Sequence, residues 1–332
     1  MDTVSRSGRT YNGDSNSTTK PLEAVIKYVS WAMRLYGNPS SSHTLGVAAK
    51  AELAARRQET GELLGITDPA RQLIFTASAT EANLIALHGR VAYAHRTTGR
   101  LPHAVCTRIE HPAVWVTLHT LAREGRCTLT TVGVDSAGRV LLREFEAAVN
   151  KPNTVLVAVI LGHNETGTIQ DSKALGAICR RSANRDAIHL HYDLTQMVGK
   201  CPMNAFADMD MDSGAFSGHK FHGPKGVGAL YVRDPTKIDT VVTGGRQEGG
   251  KRAGTENLPS IGGMCVALRH ALHGIVATVR DIEARRDRLQ KLFEDEFGDR
   301  VRVNGPKGGP SGKPKGRPKG GPSGKPKERP SY

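Results

Sequence analysis

Apolar positions along the chain alternate between short continuous runs and stretches with helical spacing. Leu73–Thr76 is a short apolar run, and Glu81–Tyr93 after it has the three-to-four-residue repeat of a helix. The same pairing recurs as a strand over Ala104–Ile109 and a helix over Pro112–Glu124, with proline at the first helical position. Thr154–Leu161 reads TVLVAVIL, a β-branched run suited to a strand buried on both faces. Asp171–Arg181 reads as a helix, and Ile188–Asp193, Ser213–Ser217 and Gly228–Arg233 as strands. Asn257–Leu272 and Ile275–Phe297 are long helical patterns, the second laced with charge. This alternation predicts an α/β fold with a mostly parallel sheet covered by helices. In such sheets ligands bind beyond the carboxyl ends of the strands.

The pattern fades at both ends. Residues 1–10 are short and polar and are expected to be flexible, and residues 11–306 form the globular part. Beyond Pro306 the sequence PKGGPSGKPK at 306–315 repeats at 318–327, and nothing there is apolar except Tyr332. Such a segment cannot bury enough surface to offset its ordering entropy, so residues 307–332 are expected to be disordered. They hold eight Lys/Arg against one glutamate, half of the chain's net charge of +14. That tail reads either as a weak polyanion-binding arm, for nucleic acid or acidic partners, or as a solvated tail with no partner. No apolar run approaches the ~18–20 residues of a membrane span, and Met1–Thr10 lacks the apolar core of a secretory signal. Five scattered cysteines without a CxxC pair fit a reducing compartment, and a cytoplasmic protein is expected.

Polar clusters fall at the predicted strand ends. Thr76-Ala-Ser-Ala79-Thr80-Glu-Ala-Asn83 opens a helix, where free backbone N–H groups with Ser78 and Thr80 could hold a phosphate, or where the hydroxyls simply cap. His111 lies at a strand-to-helix turn, and His163-Asn164-Glu165-Thr166-Gly167 ends the most hydrophobic strand. His189, His191 and Asp193 alternate along one strand face. A metal reading of them is open but lacks a further ligand motif; a carboxylate there could instead pair with a cationic ring nitrogen. Ser217-Gly-His219-Lys220 leads into a glycine-lined loop where a lysine could be desolvated and form an imine, unless it is an ordinary solvated lysine. The loop from Gly244 to Glu248, leading to Thr255, suits anion binding or a flexible lid. A phosphate cradle, an aspartate, a histidine and an imine-forming lysine are the parts of a pyridoxal phosphate site.

Residues 11–306 resemble a class V aminotransferase-type protein, most closely a cysteine desulfurase that supplies sulfur for iron–sulfur clusters and thio-modified nucleosides. The likeness rests on Asp14-Ser-Asn-Ser-Thr18-Thr19, Tyr36–His43, SATEAN, EHPAV, HNETG, YDLTQ, SGHKFHGPKGVGALYVR and RAGTEN. It implies the large domain of a fold-type-I transferase, with a seven-stranded sheet, helices on both faces and a homodimer with sites at the subunit interface. By that resemblance Lys220 is the Schiff-base lysine, His111 stacks on the cofactor ring, Asp193 pairs with the pyridine nitrogen and Gln196 donates to the ring hydroxyl. Ala79, Thr80, Ser217 and His219 are placed at the phosphate, Thr255 at the phosphate of the other subunit, and Asn164 at the substrate. No metal is implied. The implied reaction converts L-cysteine to L-alanine, the sulfur passing to a cysteine thiolate as a persulfide and on to an acceptor protein.

The resemblance stops near Pro306, before the family's small-domain sheet, carboxylate-binding arginine and cysteine loop, and none of the five cysteines matches the family's nucleophile. Three readings follow: a desulfurase complemented by an outside thiol, another pyridoxal-phosphate aminotransferase or lyase, or a cofactor-binding homologue that does not turn over.

Overall fold

The computed structural model describes residues 2–4 and 10–306. In chain order the elements are β1 (Asp2–Val4), β2 (Thr10–Asn12), α1 (Glu23–Ala32), α2 (Thr44–Leu64), α3 (Pro69–Gln72), β3 (Leu73–Thr76), α4 (Ala79–Thr98) and β4 (His103–Thr107). They continue as α5 (Pro112–Arg123), β5 (Thr128–Val132), α6 (Leu142–Val149), β6 (Thr154–Ile160), α7 (Ser172–Arg181), β7 (His189–Asp193), β8 (Ser213–Ser217), β9 (Gly228–Val232), α8 (Leu258–Leu272) and α9 (Ile275–Phe297). Asp2–Val4, expected within a flexible terminus, instead pairs antiparallel with Thr10–Asn12. The repeat expected to be disordered, 307–332, lies outside the described residues.

Seven strands form one sheet in the order β3-β9-β8-β7-β6-β4-β5. The pairings from β8 through β7, β6, β4 and β5 are parallel, whereas β9 runs antiparallel to both β3 and β8. Strands buried on both faces need cover on both. Ala104, Cys106, Leu156 and Ala158 pack against Leu87, Val91, Val114 and Leu118 of α4 and α5. The alternate residues Val105, Val157, Val159 and Leu190 join Leu175 and Ile178 of α7 and Leu258 and Ile261 of α8. The long helix α9 buries none of its residues, and Ile282 (58%), Leu292 (56%) and Phe293 (48%) stay exposed.

The loop from Gly244 to Glu248, read as an anion-binding loop or a flexible lid, is pinned at its end. Glu248 sits at φ 49°, a left-handed conformation rare for a non-glycine residue. Its carboxylate, 1% exposed, accepts from both terminal nitrogens of Arg57 on α2 (2.6 and 2.8 Å) and from the Phe75 N–H of β3 (2.8 Å). One buried carboxylate thus ties the loop to a helix and an edge strand. Glu248→Ala would strand the Arg57 guanidinium and should remove about 3 kcal/mol of stability. Urea unfolding checks this; an unchanged midpoint would show the pair to be dispensable.

Candidate active site

Parallel strands all end at one edge, so polar residues that follow them converge. Ile160 ends β6, Asp193 ends β7 and Ser217 ends β8, while β3 runs into the start of α4 and β4 into the turn before α5. Between them lies a cleft of about 510 Å³. Ala79, Thr80, His111, Asn164, Asp193, Gln196, Ser217, His219 and Lys220, all expected from the sequence, line it. Thr255 does not; it lies with Thr76, Ala77, Arg252 and Glu256 around a separate hollow of about 130 Å³.

The start of α4 forms the anion-binding end. Ser78 is the N-cap, its Oγ accepting from Glu81 N–H at 3.1 Å. The N–H groups of Ala79 and Thr80 in the first turn have no helical acceptor and carry the positive end of the helix dipole. Gly228 makes the approach possible: a Cβ there would sit 2.6 Å from Ser78 C and 2.8 Å from Ala79 N. Ser217, expected at the phosphate, donates its hydroxyl to the Val227 carbonyl at 3.0 Å, so its cleft-facing capacity is that of an acceptor unless it turns. His111 caps α5, its Nδ1 accepting from Ala113 N–H at 3.1 Å, which leaves Nε2 for other chemistry.

Lys220 follows β8 in a 3-10 turn. Its Nζ donates to the backbone carbonyls of Ser17 (2.8 Å) and Asn16 (3.2 Å). Burial lowers its pKa, against the opposing pull of Asp193 and Asp14. Asp193 is 3% exposed, with Oδ1 accepting from Thr195 N–H and Oδ2 from Asn83 Nδ2, both at 2.9 Å. Thr195 Oγ1, which also belongs to the cleft lining, is buried with no protein partner among the described residues. The neighbouring Glu110 is fully enclosed, and burial pushes its carboxyl up to about 8 despite hydrogen bonds from Thr107 and Ile160.

Several participants were not singled out from the sequence. Asn16 is a hub: its side chain donates to the Asn164 carbonyl and accepts from Lys200 Nζ at 2.9 Å, and its carbonyl also receives Gln196 Nε2 at 3.3 Å. Lys200 further donates to Gln196 Oε1, and burial beside Lys220 pushes its amine down to about 8. Asn16 and Asn83 fall inside quoted motifs, but nothing local marks what they bond. Lys200 carried no sequence signal at all.

The alternating histidines do not form a metal site. His189 and His191 both reach Ser213 Oγ at 2.7 Å, and among the described residues no group of three His, Cys, Asp or Glu is placed to hold a metal ion. No single helix among them is long and apolar enough to cross a membrane.

Lys220, the Asp193 carboxylate and the N-terminus of α4 thus meet around one cleft at the strand ends. The chain belongs to the class V aminotransferase family, whose model matches residues 10–304. A cysteine desulfurase of Nostoc sp. is 37% identical over 296 residues, covering 88% of this chain and 70% of that protein. A solved NifS-like protein superposes with a TM-score of 0.80 at 33% identity, over 86% of this chain and 75% of its own. A structure titled SspA in complex with cysteine gives 0.70 at 31% identity, over 77% and 72%. The class-V resemblance and its seven-stranded architecture therefore hold.

None of the five cysteines lines the cleft. Four are buried, and burial raises every thiol, Cys127 and Cys265 to about 11; Cys201 is partly exposed but raised as well, in spite of Lys200 beside it. The thiolate is the reactive form. At pH 7.5 an aromatic disulfide reagent should therefore label at most one cysteine, Cys201, rapidly in the native chain and all five after unfolding. Rapid labelling of two or more native thiols would contradict this account.

Proposed function

We propose that this chain binds pyridoxal 5'-phosphate through Lys220 and acts on L-cysteine as a cysteine desulfurase. The observation that carries the reading is the placement of Lys220 Nζ in the same cleft as the Asp193 carboxylate and the free N–H groups opening α4. The donor set fits the cofactor: an amine for its aldehyde, a carboxylate for its ring nitrogen, N–H groups for its phosphate, and the orphaned Thr195 hydroxyl in the wall. Bound pyridoxal phosphate supplies an electron sink for the bonds at the substrate's Cα.

The protein's own residues then do the rest. Ala79, Thr80 and His219 hold the phosphate, joined by Ser217 once its hydroxyl turns away from the Val227 carbonyl. His111 covers the ring and Gln196 donates to its hydroxyl. Asn164 orients the substrate. Lys220, with its proton affinity lowered by burial, takes the Cα proton at Nζ and returns it. Across the reaction the C–S bond of cysteine breaks, an S–S bond forms to an accepting thiol, and L-alanine and a persulfide leave. Because none of the five cysteines faces the cleft, the accepting thiol comes from outside residues 10–306. It is a sulfur-acceptor protein or an added thiol, and the persulfide sulfur serves iron–sulfur clusters or thio-modification. The solved relative in complex with cysteine supports the substrate. The enzyme works as a homodimer, with Thr255 reaching the partner's phosphate; its position away from its own chain's cleft supports this. A cytoplasmic location accords with five unpaired thiols.

The test is alanine released from L-cysteine by the purified protein with pyridoxal phosphate and a thiol reductant. Lys220→Ala should lower the rate by roughly 10²–10⁴-fold. Equal rates for wild type and variant, or no cofactor uptake by the wild type, would overturn the proposal.

A further inference from the structure

Behind Asp193 runs a line of buried hydrogen bonds that the reaction above does not use. Asn83 Oδ1 lies 2.7 Å from His191 Nε2, His191 Nδ1 lies 2.7 Å from Ser213 Oγ, and the same Oγ lies 2.7 Å from His189 Nε2. With the Asn83–Asp193 bond this links five side chains from α4, β7 and β8, none more than 3% exposed.

Donor and acceptor rules fix the direction of every link. A carboxylate only accepts, so Asn83 turns its amide nitrogen to Asp193. The Asn83 oxygen can then only accept, so His191 carries its proton on Nε2. Burial, with His189 alongside, drives the His191 pKa far down, so the ring is neutral and its Nδ1 accepts the Ser213 hydroxyl proton. The Ser213 oxygen in turn accepts the Nε2 proton of His189, which burial likewise holds neutral. All the donors point toward Asp193. The charged or titratable groups facing the line are Lys220 and Glu110 at the Asp193 end, and Asp212, Arg90, Arg180 and Lys237 at the His189 end.

We propose that Asn83, His191, Ser213 and His189 form a one-directional relay of positioning residues that donates to Asp193 from behind and keeps its carboxylate aimed at the cleft, so that it can pair with a ring nitrogen. Reversing any one link would set two acceptors or two donors face to face among buried side chains, which costs a full desolvation penalty. Aligned bonds also polarise one another. The relay fixes the carboxylate's rotamer from behind.

The inference rests on the cofactor reading above, and the experiment separates the two. Nitrogen-15 NMR of the histidine rings in the chain without added pyridoxal phosphate should show His189 and His191 as neutral Nε2–H tautomers from pH 5 to 8. A charged or Nδ1–H His191 in that range overturns the relay whether or not the cofactor binds. With pyridoxal phosphate added, His191→Leu should weaken its binding by about tenfold or more, the cost of leaving the buried Asn83 oxygen without its donor, and move the pH midpoint of its visible absorption. His191→Gln, which keeps a donor at the Nε2 position, should stay within about threefold of wild type at the same midpoint. Ser213→Ala, which removes a single oxygen, should give a smaller midpoint shift of the same sign and serves if His191→Leu does not fold. Wild-type behaviour in both His191→Leu and Ser213→Ala, or His191→Gln as impaired as His191→Leu, overturns the relay. A wild type that takes up no pyridoxal phosphate fails the functional proposal alone, and the NMR result then decides the relay.

Discussion

A carboxylate that is almost fully enclosed must find its hydrogen bonds inside the protein, and Asp193 organises its surroundings on that account. Its two donor partners come from the turn after β7 and from the first turns of α4, so the helix and the strand end are held in one arrangement. The positive end of α4 and the lowered-pKa amine of Lys220 then face the same cleft as this negative group. The site is an electrostatic arrangement before it is a catalytic one: separated charges, each satisfied locally, with room between them.

The sheet makes that arrangement possible at low strain. Parallel strands deliver their last residues to one edge, and the antiparallel β9 brings its first residue, Gly228, under the start of α4. Glu248 shows the same logic on a structural scale, since it fastens a loop, a helix and an edge strand through three hydrogen bonds, two of them within its ion pair with Arg57. Both carboxylates are buried, and both are held by donors from distant parts of the chain.

The thiols contrast with this. They are placed as small apolar groups in the core rather than as nucleophiles: Cys106 lies within β4 and Cys179 and Cys265 lie on buried helix faces. Chemistry at sulfur is thus separated in space from chemistry at Cα. In the proposed reaction the described residues carry the second, and the first falls to a thiol brought to them.

Much of this was legible in the sequence. Strand and helix periods gave the alternation of elements, because burial on both faces of a parallel sheet demands continuous apolar runs such as TVLVAVIL, and the ordered motifs pointed to the family. The cluster types at strand ends named His111, Asp193 and Lys220, since their chemistry is local to the residue. What the sequence left open was every relation across the fold. It gave His189 and His191 as possible ligands, and only the tertiary structure supplied Ser213 and Asn83 to turn them into hydrogen-bonding groups. It read the loop at Glu248 as a candidate lid, and only Arg57, 191 residues away in the chain, made it an anchor. Residue chemistry and periodicity are properties of short stretches and can be read along the chain. Charge state, orientation and partnership depend on which distant groups share a buried volume, and that is decided when the sheet closes.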